Sequence, residues 1–496
     1  MANQLNEITV QPTNETLEAR QNIVRRALRY RGAMDVAQVA ERYFWSKDEA
    51  HAVLEFLLEQ GSAIVEADLY YHAELYERAR RATISERRQV QTMPSSHFAA
   101  LMAGCIRTLA PPEEQLKQAI EKLTDRPFPA NQWETQLLPT RVNGYRPELL
   151  DRLLASGEVF WHLSNDGLSF HSYADVDWDA DTDAIALRHC GLNPQSPNQE
   201  AAEIQGIAGQ ARNDVLTPDE QSVMQFLQKR GASFISAFAA GKDEAEMQEI
   251  LFSLMEKGLV HADSFTPIRI WLERDKIEKY IGRRKLAMQT AAAKSGRWDI
   301  RRPLKPRSVE EKLNRAFDKI GLLSRETAAS LLDISWSAAL EHLRVWEYTG
   351  RVWRGYFVEG LSGAQYIREN AYISVRHELE HPADKIVWLA ATDPNQVWGK
   401  ILSYDPEKQF TSVPGTAVAL KKGIPVAVFE RKGHTLRIFD ENILTETLIV
   451  FSEAFKKRNI FPALHRITVK QFPETATQAL SDAGFMRVML DYVLYR

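Results

Sequence analysis

The sequence predicts an α+β chain of tandem winged-helix domains followed by a C-terminal β-rich, barrel-like module. Three observations predict it: a helix-end motif that recurs four times, a short helix with its own start signal ahead of three copies, and a change of hydrophobic period near residue 385. The motif is a helical apolar stripe ending in a Leu-rich turn, then glycine, then β-branched or aromatic residues. It reads FLLEQGSAIV at 56–65, RLLASGEVFW at 152–161, SLMEKGLVHA at 253–262 and HLRVWEYTGRVWRGYF at 342–357. Gly61, Gly157, Gly258 and Gly350 stand where a helix must stop in a left-handed cap before a strand begins. Helix, turn, helix, strand is the winged-helix order.

Residues 1–18 are polar and read as a flexible N-terminus. The first winged helix covers 19–92, with MDVAQVAERYF ahead of its motif. The second covers 93–193 and runs into the acidic stretch HSYADVDWDADTDA near 171–184. A linker rich in Pro, Gln and Gly follows at 194–214. The third winged helix, 215–275, has FISAFAAGKDEAEM ahead of its motif, and a strongly basic linker with Pro303 and Pro306 follows at 276–308. The fourth, 309–372, opens a helix at LSRETAASLLDIS, with Ser324 as N-cap and Thr327 behind it. From 373 to 496 the runs KIVWLAA, GTAVALKKG, IPVAVFERKG and TLRIFD alternate as strands do. LTETLIVFSEAFKKR then reads as an amphipathic helix, and HRITVKQF and VMLDYVLYR as strands.

A chain of 496 residues exceeds a single core, and 44% hydrophobic with 26% charged residues excludes a disordered or membrane class. There is no run of about 18 apolar residues and no secretory leader, so the expected location is the cytoplasm, away from membranes. Cys105 and Cys190 form no CxxC pair, which removes thiolate zinc sites and disulfide scaffolds. With a net charge of -4, any surface for nucleic acid must come from charge placed locally.

The string Asp48, Glu49, Ala50, His51 resembles a helicase box, but it opens a helix, where acids favour the positive end of the dipole. No GxxxxGK[ST] loop accompanies it, so the chain is not an ATPase on its own. The alternating Asp175, Asp177, Asp179, Asp181 and Asp183 lack the glycine and glutamate of a calcium loop and read as a solvated acidic loop. Neither HExxH nor the HxE and PCxxC of zinc deaminases occurs, so neither metal nor cofactor is expected. The helices SKDEAHAVLEFLLEQ and KDEAEMQEILFSLMEK carry acids that repel phosphate and suit packing against neighbouring domains or a partner. The candidate DNA-binding residues are Arg283, Arg284, Lys285, Arg297, Arg301, Arg302, Lys305 and Arg307 of the basic linker, and Arg351, Trp353 and Arg354 of the fourth wing. Guanidinium groups pair bidentately with phosphates, and an aromatic between them stacks on an exposed base. A weaker cluster, Arg78, Arg80, Arg81, Arg87 and Arg88, is interleaved with Glu77 and Glu86.

The segments WETQLLPTRVNGYRPELLDRLLASGEVFW, SFTPIRIWL, SGRWDI, RGYFVEGLSGAQY, ATDPNQVWG and DAGFMRVMLDYVLYR occur in this order. They resemble the successive landmarks of the C-terminal region of the bacterial large helicase-related (Lhr) family, from about residue 20 onward. The resemblance implies a tandem winged-helix array whose second domain is related to the AlkZ type of DNA glycosylase, a terminal barrel-like module, DNA as partner, and work on DNA damage. It also implies a homo-oligomer and, since the family's helicase core has no counterpart here, a separately encoded helicase or nuclease as partner. The function expected is thus DNA binding in repair or genome maintenance. The alternatives are a monofunctional glycosylase removing uracil or an alkylated base, and a winged-helix transcriptional regulator. The chain departs from the family at 97–111, HFAALMAGCIRTLAP, where a Trp-Gln pair is typical. Asp151, Glu359 and Asp491 are acids inside the family-like segments; none has a spacing that marks it as catalytic.

Overall fold

The structure, a computed structural model, describes residues 14–88, 92–106, 110–180, 216–239, 241, 243–277, 295–329, 331–332 and 334–496. The chain divides into two compact units, Met1–Gln91 with Trp346–Gly355, and Thr92–Val345 with Tyr356–Arg496. The predicted linker at 194–214, and with it Cys190, Asp181 and Asp183, lies outside the described residues.

In the first unit, helices α1 (Asn14–Arg31), α2 (Val36–Tyr43) and α3 (Lys47–Glu59) precede strands β1 (Ala63–Glu66) and β2 (Leu69–His72) and helix α4 (Ala73–Arg88). Part of the predicted loose N-terminus is therefore helical. A capping box starts α3: the Ser46 hydroxyl accepts from the Glu49 N–H at 3.2 Å, and the Glu49 carboxylate accepts from the Ser46 N–H at 2.9 Å. Those bonds and the Arg20 guanidinium hold Glu49 down to about 2, so the helicase-like string is a helix start. Gly61 ends the helix segment at φ 64°, and the chain turns into an antiparallel hairpin pairing Ala63 with His72. Val24, Leu28, Val39, Leu54 and Leu57 bury the apolar stripe of the three helices.

The second unit begins with α5 (Ser95–Gly104), α6 (Pro112–Leu123) and α7 (Ala130–Gln132), then a five-residue π-helix, Trp133–Leu137, and α8 (Leu138–Arg141) and α9 (Pro147–Ala155). Gly157 at φ 75° leads into the hairpin of β3 (Val159–Ser164) and β4 (Gly167–Ser172). Next come α10 (Pro218–Arg230), β5 (Ser233–Phe234), α11 (Ile235–Phe238), α12 (Glu244–Glu256), β6 (Val260–Ala262), α13 (Thr266–Ile277) and β7 (Arg297–Ile300). The sheet order is β5-β7-β6, so part of the predicted basic linker is the central strand of the third domain's sheet. The reason is apolar alternation: Trp298 and Ile300 are buried while Arg297 points out. One continuous core, from Trp133 and Trp161 to Met255 and Trp298, joins these two domains.

The fourth repeat holds α14 (Val309–Ile320), β8 (Leu322–Leu323), α15 (Arg325–Ala329), α16 (Trp336–Tyr348), β9 (Val352–Gly355) and β10 (Gln365–Arg368). The end of α16 and β9 belong to the first unit, while β8 and β10 pair antiparallel within the second. Ser324 caps α15 as its sequence suggests, with Thr327 N–H donating to its hydroxyl at 3.3 Å and its own N–H donating to Thr327 Oγ1 at 2.7 Å.

The C-terminal part contains α17 (Tyr372–Glu380), β11 (Ile386–Ala390), β12 (Ala417–Lys421), β13 (Ile424–Glu430), β14 (Thr435–Ile438), α18 (Leu444–Lys456), β15 (Arg466–Val469), α19 (Ala476–Asp482), β16 (Met486–Val488) and β17 (Asp491–Tyr495). It is β-rich, but among the described residues it is no closed barrel: β11-β12-β13-β14 and β15-β17-β16 are two open sheets, bridged at Thr435 and Gln471. Helix α18 explains why. Its Leu448, Phe451 and Phe455 pack with Trp388 and Phe429 and fill the space that closure would need for strands. No helix among the described residues is long and apolar enough to cross a membrane.

Candidate functional site

A cavity of about 390 Å³ opens between the π-helical turn and the C-terminal sheets. The local sequence explains the turn. Pro139 has no N–H with which to continue the helical ladder, and the preceding residues widen to π geometry, a feature that clusters at functional sites. Trp133 anchors the turn from inside: fully buried, it donates to the Leu168 carbonyl at 2.9 Å and packs edge-on against Phe128 and Phe170. On the outer side Asn131, Thr135, Gln136 and Thr140 line the cavity.

The opposite wall comes from Lys432, Asn459, Phe461 and Pro462. Lys432 and Phe461 have φ of 59° and 48°, and neighbouring Arg431 and Arg458 have 50° and 62°. Non-glycine residues in this region cost about 1–3 kcal/mol each and persist only where the surroundings enforce them. Here they are enforced by Arg496, whose guanidinium donates to the carbonyls of Phe455, Pro462 and Phe461 at 3.0, 2.7 and 3.2 Å, and by the Lys432 N–H bond to Gly415 at 2.7 Å.

The polar groups are not used up by one another. Gln136 accepts a hydrogen bond from the Thr392 hydroxyl, which leaves its amide N–H pair unengaged among the described residues. The Asn131 side chain and Lys432 Nζ likewise have no partner there. Behind this wall Arg141 forks onto Asp393 at 2.7 and 2.9 Å, both fully buried, and adds Asn395 at 2.8 Å. Burial pushes the Asp393 carboxyl up, but the Arg141 charge and hydrogen bonds outweigh it and hold the group ionised. Lys400 donates to the Asp393 carbonyl at 2.7 Å, and burial pushes it down to about 8.

The acids singled out in the sequence lie elsewhere. Asp151 accepts from the Phe265 N–H at 2.8 Å and pairs with Arg269 at 2.6 Å, and Arg269 also forks onto Glu134 at 2.8 and 2.9 Å. That makes Asp151 a tie between the second and third domains. Glu359 is exposed and Asp491 opens β17, the central strand of its three-stranded sheet; neither lines the cavity.

Most described cations of the basic linker are taken up by acids or aromatic rings. Arg297 pairs with Asp263 at 2.8 Å, and Arg302 lies 4.9 Å over the Trp178 ring. Lys305 Nζ donates to the Ala174 carbonyl at 3.1 Å. Arg307 reaches Asp125 and Asp175, both at 2.9 Å, and Arg315 of α14 reaches the same two acids at 2.9 and 2.7 Å. Backbone bonds from Asp177 to Pro303 and from Lys305 to Asp175 zip the segment onto the acidic stretch, whose Asp175 is thereby no solvated residue. Burial pushes the Asp125 carboxyl up, but the His171 hydrogen bond and the Arg307 and Lys319 charges hold it well below the usual carboxylate range. Arg301 is exposed with no carboxylate partner among the described residues. Arg283, Arg284 and Lys285 lie outside those residues. In the first unit, Arg351 stacks over Trp346 at 4.3 Å, Arg354 sits 3.7 Å from Glu347, and Trp353 is half-buried. Sequence reasoning missed the cavity residues Asn131, Gln136 and Lys432; a Pro four residues after Thr135 was the available signal for the altered turn.

Residues 100–171 and 303–386 match the winged-helix domains of the large helicase-related proteins, the first the third such domain and the second the fourth. A Mycolicibacterium smegmatis protein named "Lhr helicase/ probable uracil glycosylase" is 27% identical over 468 residues, 84% of this chain and 29% of that protein. An Escherichia coli protein named "Lhr helicase/uracil glycosylase" is 24% identical over 528 residues, covering 93% of this chain and 32% of its own length. The chain thus spans about a third of the length of these curated relatives. Along most of its own length it is similar to the large helicase-related proteins, and it carries two winged-helix domains of their kind.

Proposed function

We propose that the chain is a DNA-binding protein of DNA repair or genome maintenance, and that the cavity beside the π-helix receives an unpaired base. The observation that carries this reading is the cavity wall: the Asn131 carboxamide and the Gln136 amide N–H pair facing Phe461, beside the Lys432 ammonium, all without a partner among the described residues. Carboxamides match the donor and acceptor edge of a neutral ring, an aromatic wall suits its face, and a lysine at the rim suits the phosphate next to it. The winged-helix matches agree with a DNA partner. In this reading a separately encoded helicase or nuclease opens or processes the strand.

The second reading, a monofunctional glycosylase removing uracil or an alkylated base, is favoured by Gln136, an amide placed to hold a water against a bound nucleoside. The names of the two relatives point the same way, whereas no carboxylate lines the cavity among the described residues. The test uses matched oligonucleotides, intact or carrying one uracil or alkylated base, and scores binding across a salt series and breakage after alkali. Salt-sensitive binding that prefers an unpaired base and is weakened by Gln136→Leu is expected. Lesion-dependent breaks lost in Gln136→Leu would establish the glycosylase, and absence of both binding and breaks would overturn both readings.

A further inference from the structure

Helix α1 carries a second cluster of cations that the sequence motifs did not single out. Arg29 lies four positions after Arg25 and three after Arg26, spacings that share a helix face, and all three arginines border one groove. With Tyr30, Ser62 and Glu74 they line a groove of about 570 Å³. All three arginines are exposed, and none has a carboxylate partner among the described residues; Arg25 is engaged only by the neutral Asn22 amide. Glu74, the one acid of the groove wall, forms no ion pair with them among those residues. Tyr30 is 74% exposed. His72, also in the wall, is buried with Nδ1 lacking a hydrogen-bond partner among the described residues.

Local electrostatics does not account for this arrangement. A cation in the last turn of a helix complements its dipole, which explains Arg29 and Arg31, but the effect fades within that turn and leaves Arg25 and Arg26 without a reason. Like charges at this spacing weaken a helix. An anion in the groove removes that repulsion. The recognition-helix position of the same unit, α3, places Asp48, Glu49, Glu55 and Glu59 on its surface and repels phosphate.

We propose that the α1 groove binds the phosphodiester backbone of single-stranded DNA, with Arg25, Arg26 and Arg29 on successive phosphates and Tyr30 stacking on an exposed base. This rests on the DNA-binding reading above and deepens it. Guanidinium groups grip phosphates by paired hydrogen bonds, and aromatic stacking adds affinity for unpaired bases without reading sequence.

The full chain is titrated with a fluorescent oligothymidine over a salt series, beside the triple variant Arg25→Gln, Arg26→Gln, Arg29→Gln and the single variant Tyr30→Leu. Circular dichroism confirms that each is folded. The triple variant is expected to bind roughly tenfold more weakly or worse, with a slope of log affinity against log salt shallower by about 2, since each single-strand phosphate contact contributes about 0.7. Tyr30→Leu is expected to weaken binding about fivefold or more and leave the slope unchanged. If the parent binds and the triple variant matches it in affinity and slope, the groove is not the site while the DNA-binding reading stands. A Tyr30→Leu variant that binds as the parent does would overturn the single-strand assignment. A parent that binds no DNA would overturn the groove and the broader reading together.

Discussion

Residues 297–307 and the stretch of α1 from Arg20 to Arg31 each carry five cations, yet they end in opposite circumstances. The first is a strand and connector laid against an acidic segment, where Arg307 is shared between Asp125 and Asp175 and Arg297 is held by Asp263. The second lies on the outside of a three-helix core, where among the described residues Arg20 alone finds an acid, Glu49 at 2.8 Å. Cation density along a chain therefore says little about which cations are available. What decides is whether folding brings carboxylates from distant positions, such as Asp125, some 180 residues before Arg307, into reach.

The far end of the paired extreme is Arg141 with Asp393, and it carries the largest expected effect. Replacing Asp393 by Ala leaves a buried guanidinium with Asn395 and the Leu137 carbonyl as its partners among the described residues, a change that costs about 3–5 kcal/mol. Urea denaturation should show that loss as a lower midpoint. A shift equivalent to less than about 1 kcal/mol would mean that Arg141 re-pairs, and that the engaged cations are less committed than their geometry implies.

The linker's cations also act inward on two histidines. Burial, then the Arg301 charge, pushes His162 down to about 3; burial, then Arg302, does the same to His261. Both groups are neutral in the native state across a range where the unfolded chain, with a histidine pKa near 6.5, binds protons. The stability they permit is fully present above about pH 6.5. It falls by about 1.4 kcal/mol per pH unit for each histidine as pH drops toward 3, because the unfolded state takes up protons that the native state refuses. Asp125, depressed, adds its own loss only below the usual carboxylate range. Denaturation midpoints between pH 7 and 5 should therefore slope downward, and His162→Phe should flatten the slope; an unchanged slope would place the titration elsewhere.

What could be read from the chain follows the range of the interactions. Gly61, Gly157, Gly258 and Gly350 all adopt left-handed φ, from 64° to 78°, because a helix stop and a strand start are settled by adjacent residues. The cap at Ser324 was legible for the same reason. The place of Arg297–Ile300 between β5 and β6 was not, since the strand's two partners lie far back along the chain. Closure of the C-terminal sheets failed similarly: alternation marks strands, but the bulk of Phe451 and Phe455 between the sheets decides whether they meet. The cavity depends on three separated segments, and only the π-turn at Pro139 left a local trace.

The smallest effect is the one that bears most directly on the two arginine clusters. Arg307→Gln removes hydrogen bonds to two half-buried carboxylates and should cost about 2 kcal/mol. The triple replacement of Arg25, Arg26 and Arg29 by Gln removes three charges and should change stability by less than about 0.5 kcal/mol, because all three are exposed, none has a carboxylate partner among the described residues, and some mutual repulsion is relieved. Thermal melts of the two variants beside the parent check both values at once. A large loss in the triple variant would mean that α1 arginines serve the fold after all. Equal, small losses in both would mean that the Asp125 and Asp175 network is as weak as an exposed ion pair, and that Arg307 is as free to leave it for a phosphate as the arginines of α1 are to accept one.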